Sequence, residues 1–581
     1  MNPQSTFDKH PALTISQTES DIAVGFSEIL GILRDHAGHR HIAIECYPGV
    51  QADPLLRQLV PELGAELVIE TEAAMLPPLA LEAKFSAMLS DDPVFGHMAH
   101  VSLKEFFDAG SVDRNRQAIA NARCRVIVIG TGATLQMPDP DLLIYADVCR
   151  WEIQQRQRRG EASNLGMNNA GVPPGQLYKR AFFLDWRAAD EHRHRVAKRV
   201  DFWIDANSPQ QPAMISAATM RSALSVASHR PFSLVPFFDA GPWGGQWMRE
   251  HFDLPDGPAN YAWGFNCVPE ENSLAFRFGS RIFEVPAQML VHEKPEELLG
   301  SQIFRDFGAE FPIRFDFLDT MEGGNLSLQV HPLRSYIKDQ FGMDYTQDES
   351  YYMLDAAPDA TVYLGLREDI NKRAMAAGLR AAQASGKAFP AEQFVNVWPA
   401  RKHDHFLIPA GTIHCSGRNS VVLEISATPY IFTFKLWDWG RLGLDGRPRP
   451  IHLEHGLKNI QWDRTTSWVS RNLVNQVVPL ASGEGWVEER TGLHALESIE
   501  ARRHWFTAPV HHHTRGNLNV LNLVEGDAAI VESPAAQFPP MTVHYAETFV
   551  VPASVGPYLI RPATPGGKPM ATIKAYMREV E

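Results

Sequence analysis

Leu326-Ser327-Leu328-Gln329-Val330-His331-Pro332 is the stretch from which the rest of this chain is read. Gln329 and His331 alternate across Val330, and at the period of two of a strand both point to one face. Eighteen residues after His331 comes Glu349, in Glu349-Ser-Tyr-Tyr-Met-Leu-Asp355. Much further on, Pro409-Ala-Gly-Thr-Ile-His414 ends a short apolar run. Gln329, His331, Glu349 and His414 are therefore four candidate metal ligands, each on or beside a strand-like segment. Two imidazoles, a carboxylate and an amide oxygen suit zinc or a similar divalent ion and leave room for substrate oxygens.

The chain around this stretch has 581 residues, too many for one ordinary core, so about two to four domains are expected. Hydrophobic residues make up 44% and charged residues 21%, the balance of a soluble globular protein. With 54 basic and 68 acidic residues the formal charge is −14. That disfavours a broad nucleic-acid surface but permits a local basic pocket for a phosphate. The cysteines, at 46, 124, 149, 267 and 415, form no close pair, so a reducing cytoplasm is expected rather than a disulfide framework. The N-terminus lacks the pattern of a signal peptide. No apolar run approaches the roughly 20 residues of a membrane helix.

Residues 1–220 read as a doubly wound α/β domain. His41-Ile-Ala-Ile-Glu45, Arg125-Val-Ile-Val-Ile-Gly130 and Leu142-Leu-Ile-Tyr145 are short β-branched runs, as buried parallel strands should be. Asp53 to Val60 and Ala146 to Gly160 read as helices between them. Phe182-Phe-Leu-Asp-Trp186 and Asp201-Phe-Trp-Ile-Asp205 are further strand candidates. Asn207-Ser-Pro-Gln-Gln-Pro212 reads as a linker, and the pattern changes there.

After it, short strand runs dominate, including Ser273-Leu-Ala-Phe-Arg-Phe278, Thr361-Val-Tyr-Leu-Gly365, His405-Phe-Leu-Ile-Pro409 and Val421-Val-Leu-Glu-Ile425. Turn residues separate them, which suggests a barrel or sandwich. One helical insert spans Asn371 to Gly386. Val520 to Val524, Asp527 to Val531 and Glu547 to Ala553 read as strands of a second barrel of the same type without a full ligand set. His511-His-His513 is assigned no role, and Tyr351-Tyr352 is read as strand packing.

At this point several segments, in the right order, resemble type I mannose-6-phosphate isomerases over roughly 231–581. They are Pro242-Trp-Gly-Gly245, Phe311-Pro-Ile-Arg-Phe-Asp-Phe-Leu-Asp319 with the opening stretch, Glu349-Ser-Tyr-Tyr-Met-Leu-Asp-Ala356, and Phe394-Val-Asn-Val-Trp-Pro399. Asp404-His-Phe-Leu-Ile-Pro-Ala-Gly-Thr-Ile-His-Cys415, Leu436-Trp-Asp-Trp-Gly-Arg441 and Arg449-Pro-Ile-His-Leu-Glu454 complete the set. The resemblance implies a double-cupin, jelly-roll architecture, with a metal-binding cupin domain over 231–465 and a second cupin barrel over 466–581. It implies a zinc-dependent aldose–ketose isomerase and maps the metal ligands onto Gln329, His331, Glu349 and His414. Moving a carbonyl between neighbouring carbons requires a proton shuttle and stabilisation of an enediol's negative charge. Lys435 and Arg449 are the candidates for holding substrate or stabilising that charge.

Two positions depart from the family. Gln347 stands where a Lys usually precedes the ligand Glu, and Lys435 stands where an Arg is usual, which keeps the charge and loses the forked geometry. The substrate is therefore mannose 6-phosphate, another sugar phosphate, or an unphosphorylated sugar. The layout of 1–220 loosely resembles P-loop nucleoside and sugar kinases. However, Glu45-Cys-Tyr-Pro-Gly49 carries no Gly-Lys-Ser/Thr, so a kinase-like domain without ATP chemistry is expected. Arg150, Arg156, Arg158 and Arg159 are read as a lid or as a solvated helix face. The domain would assist oligomerisation, leaving a homo-oligomer open, or cover the isomerase pocket. Two rival readings remain: a non-catalytic sugar-binding cupin with a signalling or scaffolding N-terminal domain, and a bifunctional kinase–isomerase. No nucleic-acid or membrane partner is expected.

Overall fold

The computed structural model describes residues 5–36, 38–98, 100–427, 431–492 and 494–578. The chain forms two compact units: Ala12–Ala227 with Glu270–Glu293, and Met1–Pro11 with Ser228–Pro269 and Lys294–Glu581. No single cut near residue 220 separates them, because 270–293 belongs with the N-terminal α/β part and the first residues belong with the barrels.

The α/β unit is built on a sheet of seven strands among the described residues. Five run parallel: His41–Cys46, Leu67–Glu70, Val126–Gly130, Leu142–Asp147 and Phe202–Asp205. Numbered by sequence they lie in the order 2-3-1-4-5. Their β-branched runs are buried on both faces, as crossover helices on each side of a parallel sheet require. Ala213–Ser216 then pairs antiparallel with Phe202–Asp205, and Ile22–Val24 pairs with it in turn. Asn207–Pro212 is therefore the connection between two paired strands and not a linker. Phe182–Trp186 is helical, a π-helix over Ala181–Asp185 leading into Trp186–Ala197. All five π-helical residues are buried, and a short apolar run carries no period that separates strand from buried helix. Ser273–Phe278, expected in a barrel, instead pairs with Leu13–Ser16 and with Arg281–Pro286 in a separate sheet of this unit.

The other unit holds two pairs of antiparallel sheets. In the first pair, Glu349–Ala356, Ser420–Ala427 and Ile313–Asp319 lie centrally in a six-stranded sheet. Facing it is a five-stranded sheet ordered Val395–Pro399, Thr361–Leu366, His414–Ser416, Leu328–Val330 and Phe434–Trp437. The insert expected at 371–386 is the helix Lys372–Ser385, capped by Asn371. The second pair combines a six-stranded sheet, including Ile499–Phe506, Met570–Met577 and Asn519–Glu525, with a four-stranded sheet of Val510–His513, Pro557–Pro562, Ala528–Glu532 and Met541–His544. Its apolar core is formed by Phe506, Leu521, Leu523, Val531, Phe549 and Ile560. Among the described residues no helix is long and apolar enough to cross a membrane, and none of the five cysteines is in a disulfide.

Candidate metal centre

Gln329 sits in the middle of a three-residue strand that pairs on both sides. Its register partners are His414 and Lys435. Opposed residues of antiparallel strands share a face, so Lys435, Gln329 and His414 form one row across the five-stranded sheet. His331 follows at the same phase, and Pro332, with no N–H for a ladder, ends the strand. Glu349 opens its strand on the facing sheet, between Ser426 and Ile408.

The side chains converge between the sheets. His414 Nε2 lies 2.7 Å from Glu349 Oε1, and His331 Nε2 lies 3.1 Å from Glu349 Oε2. The Gln329 amide nitrogen is 3.3 Å from His414 Nε2, and a half-turn of that amide would present its oxygen instead. Donor atoms of His331, Glu349 and His414 all lie within 4.8 Å of one another. Each of the four residues is at most 7% exposed, so the group is shielded from bulk water.

The outer nitrogens of the imidazoles explain why the inner ones are available. His414 Nδ1 lies 2.9 Å from the Thr412 carbonyl, and His331 Nδ1 lies 3.4 Å from that of Phe432. A carbonyl only accepts, so each Nδ1 carries the proton and each Nε2 turns a lone pair toward the carboxylate. No hydrogen bond reaches His331 Nε2 or Glu349 Oε1. Two lone pairs facing a buried carboxylate repel it unless a cation lies between them. Backbone carbonyls fixing the tautomer are the usual second shell of metal-bound imidazoles. The residues present could hold a divalent metal.

More carboxyls surround the centre than the sequence suggested. Gln347 Nε2 donates to Glu349 Oε2 at 2.8 Å and to Glu424 Oε1 at 3.3 Å. Asp316 and Glu424 oppose each other on neighbouring strands. Burial first, then Glu349, pushes the Asp316 carboxyl up, and burial together with Asp316 and Glu349 pushes up Glu424. Tyr351, read as packing, has a buried hydroxyl without a hydrogen-bond partner, and its ring lies edge-on to His414.

At the Lys435 end of the row lies a cationic cluster. Arg449 Nη1 donates to Asp438 Oδ2 at 2.8 Å and to Ser327 Oγ at 3.1 Å, and Arg441 Nη2 donates to Asp438 Oδ1 at 2.6 Å. Among the described residues no hydrogen bond or ion pair is made by the Lys435 ammonium. Burial, helped by Arg449 and Arg441 and opposed by Asp438, pushes its pKa down to about 7. His452 is tied to the Lys435 backbone, whose carbonyl accepts from the His452 amide at 2.8 Å. Asp438, Arg441, Glu424 and Asp316 were not among the expected site residues. The available signal was a single carboxylate inside an apolar strand run, as in Val421-Val-Leu-Glu-Ile425.

In the α/β unit, the C-terminal ends of His41–Cys46 and Val126–Gly130 form the point where strand order reverses, the usual crevice for a ligand in such sheets. The chain's own Glu45 fills it, accepting from the amides of Gly132 and Thr134 and from the Thr134 hydroxyl. A carboxylate already occupies the donors a phosphate would need. Of the four arginines expected as a lid or a solvated face, Arg158 and Arg159 are exposed and Arg150 and Arg156 are not. Arg156 is wholly buried and donates to the Gly49 and Ala206 carbonyls, and Arg150 is buried against Asp190. Arg158 stacks over Trp151, and Arg159 pairs with Glu152 and Glu161.

Residues 25–229 match a family model described as a domain of unknown function, DUF8485. A probable mannose-6-phosphate isomerase, GmuF, of Bacillus subtilis is 27% identical over 236 residues, covering 40% of this chain and 68% of that protein. The mannose-6-phosphate isomerase of Streptococcus mutans is 25% identical over 246 residues, covering 41% and 72%. Among solved structures, the mannose 6-phosphate isomerase of Bacillus subtilis aligns with a TM-score of 0.48 at 15% identity over 60% of this chain and 99% of that one. A zinc-bound mannose 6-phosphate isomerase aligns with a TM-score of 0.45 at 15% identity over 60% of this chain and all of that one.

Proposed function

We propose that the barrel unit is a metal-dependent aldose–ketose isomerase of double-cupin type, acting on mannose 6-phosphate or a related sugar or sugar phosphate through an enediol. The observation that carries this reading is the convergence of two proton-free imidazole nitrogens on the Glu349 carboxylate inside a barrel. The similarity to mannose-6-phosphate isomerases names the reaction class. His331, Glu349, His414 and, after an amide turn, Gln329 would hold one zinc ion. When bound, such an ion supplies a Lewis acid for the two sugar oxygens whose carbonyl character is exchanged.

The remaining chemistry belongs to side chains around this centre. Lys435 ends the ligand row and faces the substrate's developing negative charge. Arg449, braced by Asp438 and Ser327, holds the substrate's anionic end. Glu424 and Asp316, kept protonated by burial and by each other, are proton donors beside the ligand carboxylate. Gln347, neutral where relatives carry a cation, keeps Glu349 oriented and leaves more of the charge stabilisation to Lys435. That neutrality is also what favours the second reading, a sugar-binding cupin without turnover. ATP chemistry in 1–220 is disfavoured by Glu45 in the crevice. Five cysteines outside any disulfide support a cytoplasmic location.

The test is incubation of the purified chain with mannose 6-phosphate and a panel of aldoses, with and without chelator. Ketose formation that chelation abolishes and added zinc restores is expected. Metal-linked sugar binding with no ketose from any of them would establish the non-catalytic reading instead.

A further inference from the structure

The second barrel contains a cavity of about 920 Å³, separate from the centre described above. Its walls are not what a barrel interior ordinarily offers. The apolar core fills one end, through Phe506, Leu521 and Leu523. Toward the other end the same inward-facing positions turn polar: Glu500, Arg502 and His504 on one strand, Lys574 and Tyr576 on the next, and His512 across from them. Arg502 opposes Lys574 in register, and Glu488 opposes His504.

Three of these groups await a partner. His512 is 7% exposed and its Nε2 has no hydrogen bond; His504 is 2% exposed and its Nδ1 has none. The Lys574 side chain is likewise buried, and among the described residues it makes no hydrogen bond or salt bridge, lying 5.5 Å above the Tyr576 ring. The acidic residues are already engaged. Arg502 donates to both Glu500 and Glu488, and His504 Nε2 lies 3.2 Å from Glu488. Arg502 with its two carboxylates carries one net negative charge, which Lys574, Arg515 and Arg578 outweigh, leaving the cavity positive. Buried polar atoms without partners are costly unless something supplies the partners, and a convergent polar group in a cavity of this size is the usual form of a small-molecule site.

We infer that the second barrel binds a small phosphorylated sugar, its phosphate held by Lys574, His512 and Arg515 and its hydroxyls by Glu488 and Glu500. Trp486 and Tyr576, on the same wall, supply flat faces for the sugar's C–H surface. The charge and the donors call for a phosphate monoester, while the two carboxylates and the aromatic faces call for a polyol attached to it. Inorganic phosphate alone would leave that second half of the site unused. This inference does not depend on the barrel unit being an isomerase.

The experiment is calorimetric titration of the full chain carrying His331→Ala, which disables the metal centre. The probes are mannose 6-phosphate, glucose 6-phosphate, inorganic phosphate, mannose and gluconate. Saturable binding of a sugar phosphate is expected, with about one site per chain, and at least a tenfold weakening in Lys574→Met and in His512→Phe. Should either core variant fail to fold by circular dichroism, Arg515→Ala at the exposed rim gives the same readout. No sugar-phosphate binding in the His331→Ala chain overturns the inference. So does affinity indifferent to the variants, tighter binding of gluconate, or binding of inorganic phosphate that the sugar does not improve.

Discussion

His414 has one nitrogen to offer, because Thr412 takes the proton of the other. The same holds for His331 and Phe432, so replacing either histidine removes a donor that no neighbour can supply. His331→Ala is expected to weaken zinc binding by about a hundredfold or more, read as metal per chain after dialysis, with the far-ultraviolet spectrum unchanged. Retention of one tightly bound zinc by that variant would remove the ligand assignment. Lys435 gives a second prediction, with a sign. Its folded-state pKa lies near 7, so it is charged below that pH and neutral above it. A step that needs the cation is at full strength in mild acid and fades as pH rises through about 7. Lys435→Arg keeps its charge throughout, so the alkaline limb of kcat/KM should move upward in that variant. Lys435→Met should lose about a hundredfold at pH 6 and show no limb near 7. An unchanged profile in both variants would assign the charge stabilisation elsewhere. That Glu349 and His414 point at the same centre depends on sheet pairing, but Gln329 and His331 were legible as a pair on one face because a period of two fixes their direction. Asp438, Glu424 and Asp316 were not, since one acid among aliphatics has the same appearance whether it lines a site or faces solvent.

Strands with β-branched runs, such as Val126–Gly130 and Leu142–Asp147, were readable because burial on both faces leaves an uninterrupted apolar signature. Phe182–Trp186 carries the same signature and is helical, set by the helices on either side. Asn207–Pro212 shows how Pro and Asn announce a turn without saying what the turn joins. The strand before it ends in Asp205, whose Oδ2 accepts from the Glu284 amide at 2.9 Å in the inserted hairpin. Burial, and next the Glu284 charge, raise this carboxyl from 3.8 to about 7. The folded state therefore holds a proton that the unfolded chain has released, and the associated stability is present below about 4 and lost as pH rises to about 7. The loss approaches about 1.4 kcal/mol per pH unit across that interval for this one group. Asp205→Asn keeps an acceptor and cannot ionise. Denaturant unfolding of the α/β unit at pH 5 and pH 7.5 should show a smaller pH difference in the variant than in the parent; an equal difference would place the titration on other groups.

Two kinds of sequence texture, alternating α/β before about 220 and short strands after it, correctly announced two architectures and concealed how the chain distributes itself between them. Pairing between residues 13–16 and 273–278 leaves no local trace, because neither segment's period depends on where its partner lies in sequence. The consequence is physical. Leu13–Ser16 finds its strand partner in Ser273–Phe278, and the inserted segment carries Leu274, Phe276, Phe283, Val285 and Leu290 as buried side chains of its unit. A fragment ending at 220 lacks all of that apolar surface, and at roughly 1.5–3 kcal/mol for each large side chain buried the deficit is as large as the ordinary 5–15 kcal/mol net stability of a folded protein. Residues 12–227 expressed alone should therefore aggregate or unfold without a cooperative transition. A synthetic peptide of residues 268–294 added during refolding should restore solubility and a sigmoidal denaturant curve. A scrambled peptide of the same composition should not, because what is missing is the register of Leu13 with Phe276 and of Ala275 with Glu284, not apolar mass in general. Cooperative unfolding of 12–227 without any peptide would mean that the hairpin decorates this unit and does not complete it.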